Sequence, residues 1–191
     1  MTPNIVVLTD LNAPQYKAVM LHAYENAADA FTSTPGERAS EPDAWWVRRV
    51  ADPQGMTIAF GAIEGTDLVG TVALEFSAKP KTRHKAFVVG MYVLPAWRSK
   101  GLARGLLQAA IGHCVARGDI VAVQLEVTEG NEPAARLYRD LGFVQYGLEP
   151  MAVLTPSGFK SKVHMWLSIA ERPIQSGPAP KTSAPDPPDV G

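Results

Sequence analysis

Val93-Leu94-Pro95-Ala96-Trp97-Arg98-Ser99-Lys100-Gly101-Leu102-Ala103 is the stretch on which the fold turns. An apolar run, Ala86 to Val93, precedes it, and a helical stripe of Ala103, Leu106, Leu107, Ala110, Ile111 and Cys114 follows. A buried strand therefore feeds a helix through a short basic loop. Gly101 lets the backbone bend and approach a ligand, Ala103 permits close packing, and the first-turn amides of a helix have no partner within it. Such a start attracts anions, and Arg98, Lys100 and Arg104 add charge suited to a pyrophosphate. The loop lacks Gly-x-x-x-x-Gly-Lys-Ser/Thr, and Gly101 and Gly105 do not have dinucleotide-fingerprint spacing. Taken alone, it also reads as an ordinary glycine turn with solvated basic side chains.

Working outward, Gly90 inside the apolar run suggests a bulge or a close backbone approach. Arg117 and Gly118 close the helix with a favourable dipole partner and a cap. Val121, Val123, Leu125 and Val127 alternate with Ala122, Gln124 and Glu126, the period of a two-faced strand. Asn131 can cap a short helix with Pro133 in its first turn, Ala134, Leu137, Tyr138 and Leu141 on its apolar face, and Gly142 as its stop. Strands are expected around Phe143 to Leu148 and Val163 to Ile169. Upstream, a strand at Ile5 to Leu8, helices at Pro14 to Ala30 and Pro42 to Val50, and a hairpin of Met56 to Ile63 with Leu68 to Phe76 complete the order. The fold class is α/β (α+β): one domain over residues 1–172, with a mixed, mostly antiparallel sheet flanked by helices and one parallel crossover. From Pro173 on, six of the sixteen prolines and no aromatic residue predict a disordered tail over 173–191.

Two ordered motifs resemble the GNAT superfamily of N-acetyltransferases. One is Val93-Leu94-Pro95 followed by Arg98-Ser99-Lys100-Gly101-Leu102-Ala103; the other is Asn131, Ala134, Ala135, Leu137, Tyr138, Gly142 and Phe143. The resemblance implies splayed central strands, Ala86 to Val93 and Val121 to Val127, that receive the pantetheine arm of acetyl-CoA. By that carry-over Met91, Tyr92 and Val93 meet the pantetheine and thioester, the loop from Arg98 to Arg104 holds the pyrophosphate, and Asn131 contacts the cosubstrate near its reacting end.

Acetyl transfer to an amine needs a free nitrogen, a donor for the carbonyl oxygen and a proton for the leaving thiolate. A backbone N–H freed at Gly90 or Met91 suits the oxygen. Tyr138 resembles the family's proton donor, and Glu126 resembles the general base of ribosomal-protein N-terminal acetyltransferases. The alternatives are a core tyrosine with a paired hydroxyl and a glutamate on a solvated sheet edge. Glu75 is the reserve base. Cys114 reads as buried packing and His113 as a surface imidazole, while Trp45 and Trp46 read as one core residue and one that lines the acceptor entrance.

Charge and composition narrow the partners. The 18 basic and 19 acidic side chains nearly cancel, so nucleic acid is not suggested. One cysteine and four histidines leave no internal disulfide and no zinc-like spacing, so no metal is expected. No long apolar run suggests a membrane partner, and a cytoplasmic protein is the expectation. With no Cys or Ser motif demanding an acyl-enzyme, an amine attacks acetyl-CoA directly in a ternary complex. The acceptor is a small-molecule or peptide amine, and a homodimer is left open. The rival readings are a non-catalytic acyl-CoA-binding or regulatory module and an enzyme for protein N-termini or lysines. Acceptor choice is expected to reside in Thr32 to Asp43 and Glu149 to Lys162.

Overall fold

The computed structural model describes residues 3–170, so the domain end at 172 and the proline-rich 173–191 segment lie outside the described residues. Strand β1 (Asn4–Val7) leads into α1 (Ala13–Asn26), a short α2 (Pro35–Ala39) and α3 (Asp43–Val50). Next come β2 (Thr57–Glu64), β3 (Asp67–Phe76) and β4 (Lys85–Val93), then α4 (Leu102–Arg117), β5 (Ala122–Thr128), α5 (Glu132–Asp140), β6 (Val144–Thr155) and β7 (Gly158–Ser168). The sheet order is β1-β2-β3-β4-β5-β7-β6. Every pair is antiparallel except β4 with β5. Among the described residues no helix is long and apolar enough to cross a membrane.

Each face of the sheet has its own core. On one, Leu106, Leu107, Ala110 and Cys114 of α4 pack on Val72, Leu74, Ala86 and Val88. On the other, Tyr16 and Met20 of α1 and Trp46 and Val50 of α3 pack on Ala59, Ala73 and Tyr92. Strand β4 serves both cores, and Gly90 changes which residues serve which. Before it Ala86 and Val88 face α4; after it Val93 faces α4 and Tyr92 faces α1. A one-residue bulge inverts the alternation of a strand. Gly90 has φ +60°, and the register passes from Ala73↔Val89 to Thr71↔Tyr92, leaving Gly90 and Met91 without ladder partners.

Local signals account for the helix ends. Gly101 and Gly118, at φ +78° and +74°, bound α4 in the left-handed region that favours glycine. The Asn131 side-chain oxygen accepts from the Ala134 amide at 3.4 Å, and Pro133 occupies the first turn of α5. Thr34 and Glu37 form a reciprocal capping box on α2, a helix that lies between the two expected upstream. The last two strands run longer than expected: Glu149 to Lys162 lies almost wholly within the β6–β7 hairpin, with an irregularity between Glu149 and Val153 and Met151 at φ +53°. That hairpin exposes Val144, Leu148, Met151 and Leu154, so the hydrophobic period that marks a half-buried strand is blurred there.

Trp46 is 1% exposed, edge-on to Tyr16 at 6.2 Å and to Trp45 at 4.9 Å between ring centroids. Trp46→Ala is expected to cost about 3–5 kcal/mol and to lower Tm by roughly 10 °C. Thermal unfolding followed by circular dichroism measures it. Trp45 stays half-buried, so Trp46 is the core residue of the pair, and Trp45 does not line the groove between β4 and β5.

Candidate active site

Strands β4 and β5 are paired only over Lys85↔Ala122, Ala86↔Val123 and Phe87↔Gln124. Beyond those residues they part. The β4 edge from Val88 to Val93 then faces a groove of about 740 Å³ instead of a neighbouring strand. Unpaired backbone donors and acceptors along such an edge can take an extended ligand as a further strand. On the opposite edge β3 occupies the ladder, so the groove side is the only one open over this length.

At the groove's cationic end the loop after β4 turns into α4. Ser99 has φ +60° and Gly101 φ +78°, and a Cβ on Gly101 would meet nothing within 4 Å. The amides of Leu102, Ala103 and Arg104 are the first three of α4 and have no helical acceptor. Met91, Tyr92, Val93, Arg98, Ser99, Ala103 and Asn131 all line the groove. The Leu102 side chain is buried in the core, leaving it only its amide to offer.

Three of the basic side chains have protein partners. Arg98 Nε donates to the Val93 carbonyl at 3.0 Å and stacks on Tyr92. Lys100 Nζ lies 4.3 Å from the Trp97 ring centroid, and Arg104 pairs with Asp140 at 3.0 Å. Neither Lys100 nor Arg104 lines the groove. What this turn can offer an anion is therefore first its backbone amides and helix dipole, with side-chain charge second.

Glu126 and Tyr138 both face the groove from its β5–α5 wall. Glu126 pairs with His164 of β7 on one side, while on the other side β4 has already parted from β5, and its side chain is 28% exposed. Lys162 Nζ donates to its Oε2 at 2.8 Å, and His164 Nδ1 stands 3.5 Å from Oε1. Those two partners, 36 and 38 residues on in the chain and opposite it on β7, hold the carboxylate in one orientation. Tyr138 is 6% exposed and edge-on to Phe143. Burial pushes its phenol up to about 12.

The reserve base Glu75 does not line the groove; it pairs with Arg49, which does. Cys114 is buried and its thiol is pushed up to about 11 by burial. His113 departs from the expected surface position. Its half-buried ring lies against Phe60 and Phe76, and burial and then Arg117 lower its pKa. Tyr24, Phe31, Arg38, Arg49 and Lys162 line the groove from α1, the following turn, α2, α3 and β7; Arg38 and Lys162 fall within the two segments expected to govern acceptor choice, whereas nothing in the sequence singles out Tyr24, Phe31 or Arg49. No local pattern marks those three, because separate elements supply them.

A family model described as "Acetyltransferase (GNAT) family" matches residues 20–143. The chain belongs to the GNAT family of acetyltransferases. A relative within it, L-amino acid N-acetyltransferase AaaT of Escherichia coli (strain K12), is 30% identical over 101 residues, 53% of this chain and 61% of that protein. N-alpha-acetyltransferase RimI of Mycobacterium tuberculosis is 33% identical over 108 residues, 56% of this chain and 63% of that protein. The chain thus spans less than two thirds of the length of these curated relatives. The fold is that of yncA from Salmonella typhimurium, solved with its cofactor acetyl-CoA, at a TM-score of 0.75 and 20% identity over 97% of this chain and 99% of that one. The splayed β4 and β5, the basic loop, Tyr138 and the Asn131 motif all fall inside or overlap the matched region.

Proposed function

We propose that this chain transfers the acetyl group of acetyl-CoA to a primary amine by direct attack in a ternary complex, with Glu126 as base and Tyr138 as acid. The observation that carries this reading is that one groove collects the open β4 edge, the start of α4, the bulge at Gly90, Glu126 and Tyr138. The pyrophosphate belongs at the Arg98–Arg104 turn and the pantetheine along Met91, Tyr92 and Val93. An ammonium acceptor loses a proton to Glu126, directly or through water, and the freed nitrogen attacks the acetyl carbon. As the carbonyl oxygen gains charge, an amide freed from the ladder at Gly90 or Met91 donates to it. When the C–S bond breaks, the thiolate takes the Tyr138 proton, which the attacking amine then replaces through solvent.

A phenol at about 12 is protonated throughout the neutral range, which suits a donor. A carboxylate fixed by Lys162 and His164 is ready to accept on its free lone pairs. No cysteine in the groove competes as a covalent acyl carrier, since Cys114 lies in the α4 core. An enzyme for protein N-termini, as the relative RimI is named, remains the second reading of the acceptor.

The test is amine-dependent thiol release from acetyl-CoA, with cosubstrate affinity measured separately by calorimetry. Gly101→Val is expected to weaken CoA binding about tenfold or more. Its Cβ meets no protein atom, so the effect comes from the left-handed φ and from a side chain pointed where a phosphate approaches. A folded Gly101→Val variant that binds CoA like wild type would remove the phosphate role of this loop. Absence of thiol release with every amine, alongside tight CoA binding, would favour the non-catalytic module.

A further inference from the structure

With acetyl-CoA and its acceptor in the groove, the side of Glu126 that faces the groove is covered when the base acts. An ammonium acceptor still releases one proton to solvent in each turnover, and Glu126 has to return to the carboxylate before the next. Its other side meets a row of titratable side chains that leads away from the groove. His164, its cross-strand partner on β7, stands with Nδ1 3.5 Å from Glu126 Oε1 and with Nε2 3.4 Å from Glu149 Oε2 on β6. One imidazole is thus flanked by two carboxylates, one at each ring nitrogen. Opposite His164 on β6 is Gly147, which has no side chain, so the neighbour that meets the outer nitrogen is Glu149, two residues on. Neither His164 nor Glu149 lines the groove, and the Glu149 side chain is 54% exposed on the last strand of the sheet. The other titratable groups beside His164 are the Tyr146 phenol, its ring centroid 5.9 Å from the imidazole, and Lys162, which binds the second oxygen of Glu126 at 2.8 Å.

We propose that His164 and Glu149 carry the proton taken up by Glu126 out to solvent at the sheet edge, by a route separate from the groove that admits the substrates. This rests on the reading of Glu126 as the base. The protonated Glu126 gives its proton from Oε1 to Nδ1 of the neutral imidazole. The imidazolium gives its Nε2 proton to the Glu149 carboxylate, and water takes it from there. Both carboxylates are then ionised again, and exchange of the ring N–H with solvent restores the starting tautomer. Over one cycle the acceptor ammonium loses two protons: one leaves by this route and the other ends on the thiol of CoA, while the N–C bond forms and the C–S bond breaks. Imidazole suits the middle position because it binds and releases a proton near neutral pH and offers a nitrogen to each neighbour. Lys162 cannot replace it, since an ammonium has no lone pair with which to accept. Separations of 3.4 and 3.5 Å are those of charge pairs in the free protein, and such contacts tighten into hydrogen bonds once substrates close a site.

The experiment measures kcat for thiol release at saturating acetyl-CoA, below the amine pKa of the acceptor, with the fastest acceptor in a panel of L-amino acids, their amides and short peptides. His164→Ala is expected to lower kcat about tenfold or more, with CoA affinity unchanged. Added imidazole restores most of the loss and saturates, whereas wild type does not respond to it. Pyrazole, of the same size but a far weaker base, restores none, which separates proton transfer from the refilling of a space. His164→Gln keeps the volume of the side chain and is slow as well, because an amide does not carry a proton. Glu149→Gln loses less, since water can accept from Nε2 in its place. Wild-type kcat in His164→Gln, or a His164→Ala loss that imidazole leaves in place or that pyrazole repairs equally, overturns the proposal. A slow Glu126→Gln beside a fast His164→Gln removes the relay alone; an unchanged pH–rate profile in Glu126→Gln removes the base reading, and the relay with it.

Discussion

Tyr138→Phe and Glu126→Gln are each expected to lower turnover about 10²-fold or more, the scale of a positioned acid or base, while leaving CoA affinity within about twofold. Their pH profiles separate them. Glu126→Gln loses most at low pH, where the acceptor is an ammonium and only a base can free it. The loss shrinks as pH rises through the amine pKa, because solvent then supplies the free amine. Tyr138→Phe loses rate at every pH below about 12, since burial keeps the wild-type phenol protonated up to there. An alkaline fall in wild-type rate below pH 10 would therefore belong to another group. Removing the hydroxyl keeps the ring against Phe143, so unfolding is not expected to confuse the result. Wild-type turnover in folded Tyr138→Phe, with chemistry limiting, eliminates the acid role, and an unchanged Glu126→Gln profile eliminates the base.

Gly90→Val should be the most damaging single change in the sheet. At φ +60° a β-branched residue carries roughly 1–2 kcal/mol of backbone strain. Its Cβ would also stand 3.1 Å from the Tyr16 hydroxyl and 3.7 Å from Met20 Sδ and Cε. Tyr16 is 1% exposed and held edge-on by Trp46, so it has nowhere to retreat. The bulge is expected to reform elsewhere or flatten, which re-pairs the Gly90 and Met91 amides and turns Tyr92 and Val93 toward the wrong cores. Loss of an oxyanion donor is worth about 10²–10³ in kcat, and a stability loss of about 2–4 kcal/mol should accompany it. Gly118→Val is the control. It has nearly the same φ, +74°, with nothing within 4 Å of its Cβ, so it carries the strain without the collision. Denaturant unfolding and turnover on both variants check the difference; equal effects would show that backbone strain alone, and not the bulge, is at stake.

The reactive side chains divide by how their surroundings arise. Tyr138 could be placed on the correct face of α5 because Asn131, Pro133 and Gly142 set the helix ends by local backbone chemistry. The partners of Glu126 could not, since Lys162 and His164 reach it only through the β5–β7 register. The same holds for the basic loop. Its glycine, its helix start, its charges and the Arg98 contact with the Val93 carbonyl are local, but Arg104 is diverted by Asp140, a contact that depends on where α5 comes to rest.

By itself, the sequence determined the order of the strands and of every helix but the short α2, the caps of α4 and α5, an irregularity at Gly90 and the strand–loop–helix that marks the family. All of these follow from periodicity, glycine's access to positive φ and side chains that bond amides within a few residues. Only the tertiary structure decided that Gly90 exchanges the two cores served by β4 and that Glu126 meets Lys162 and His164 across the β5–β7 ladder. The physical reason is the range of the interactions: strand pairing, burial and the matching of charges join residues tens of positions apart, and nothing in the local sequence records which of them will meet.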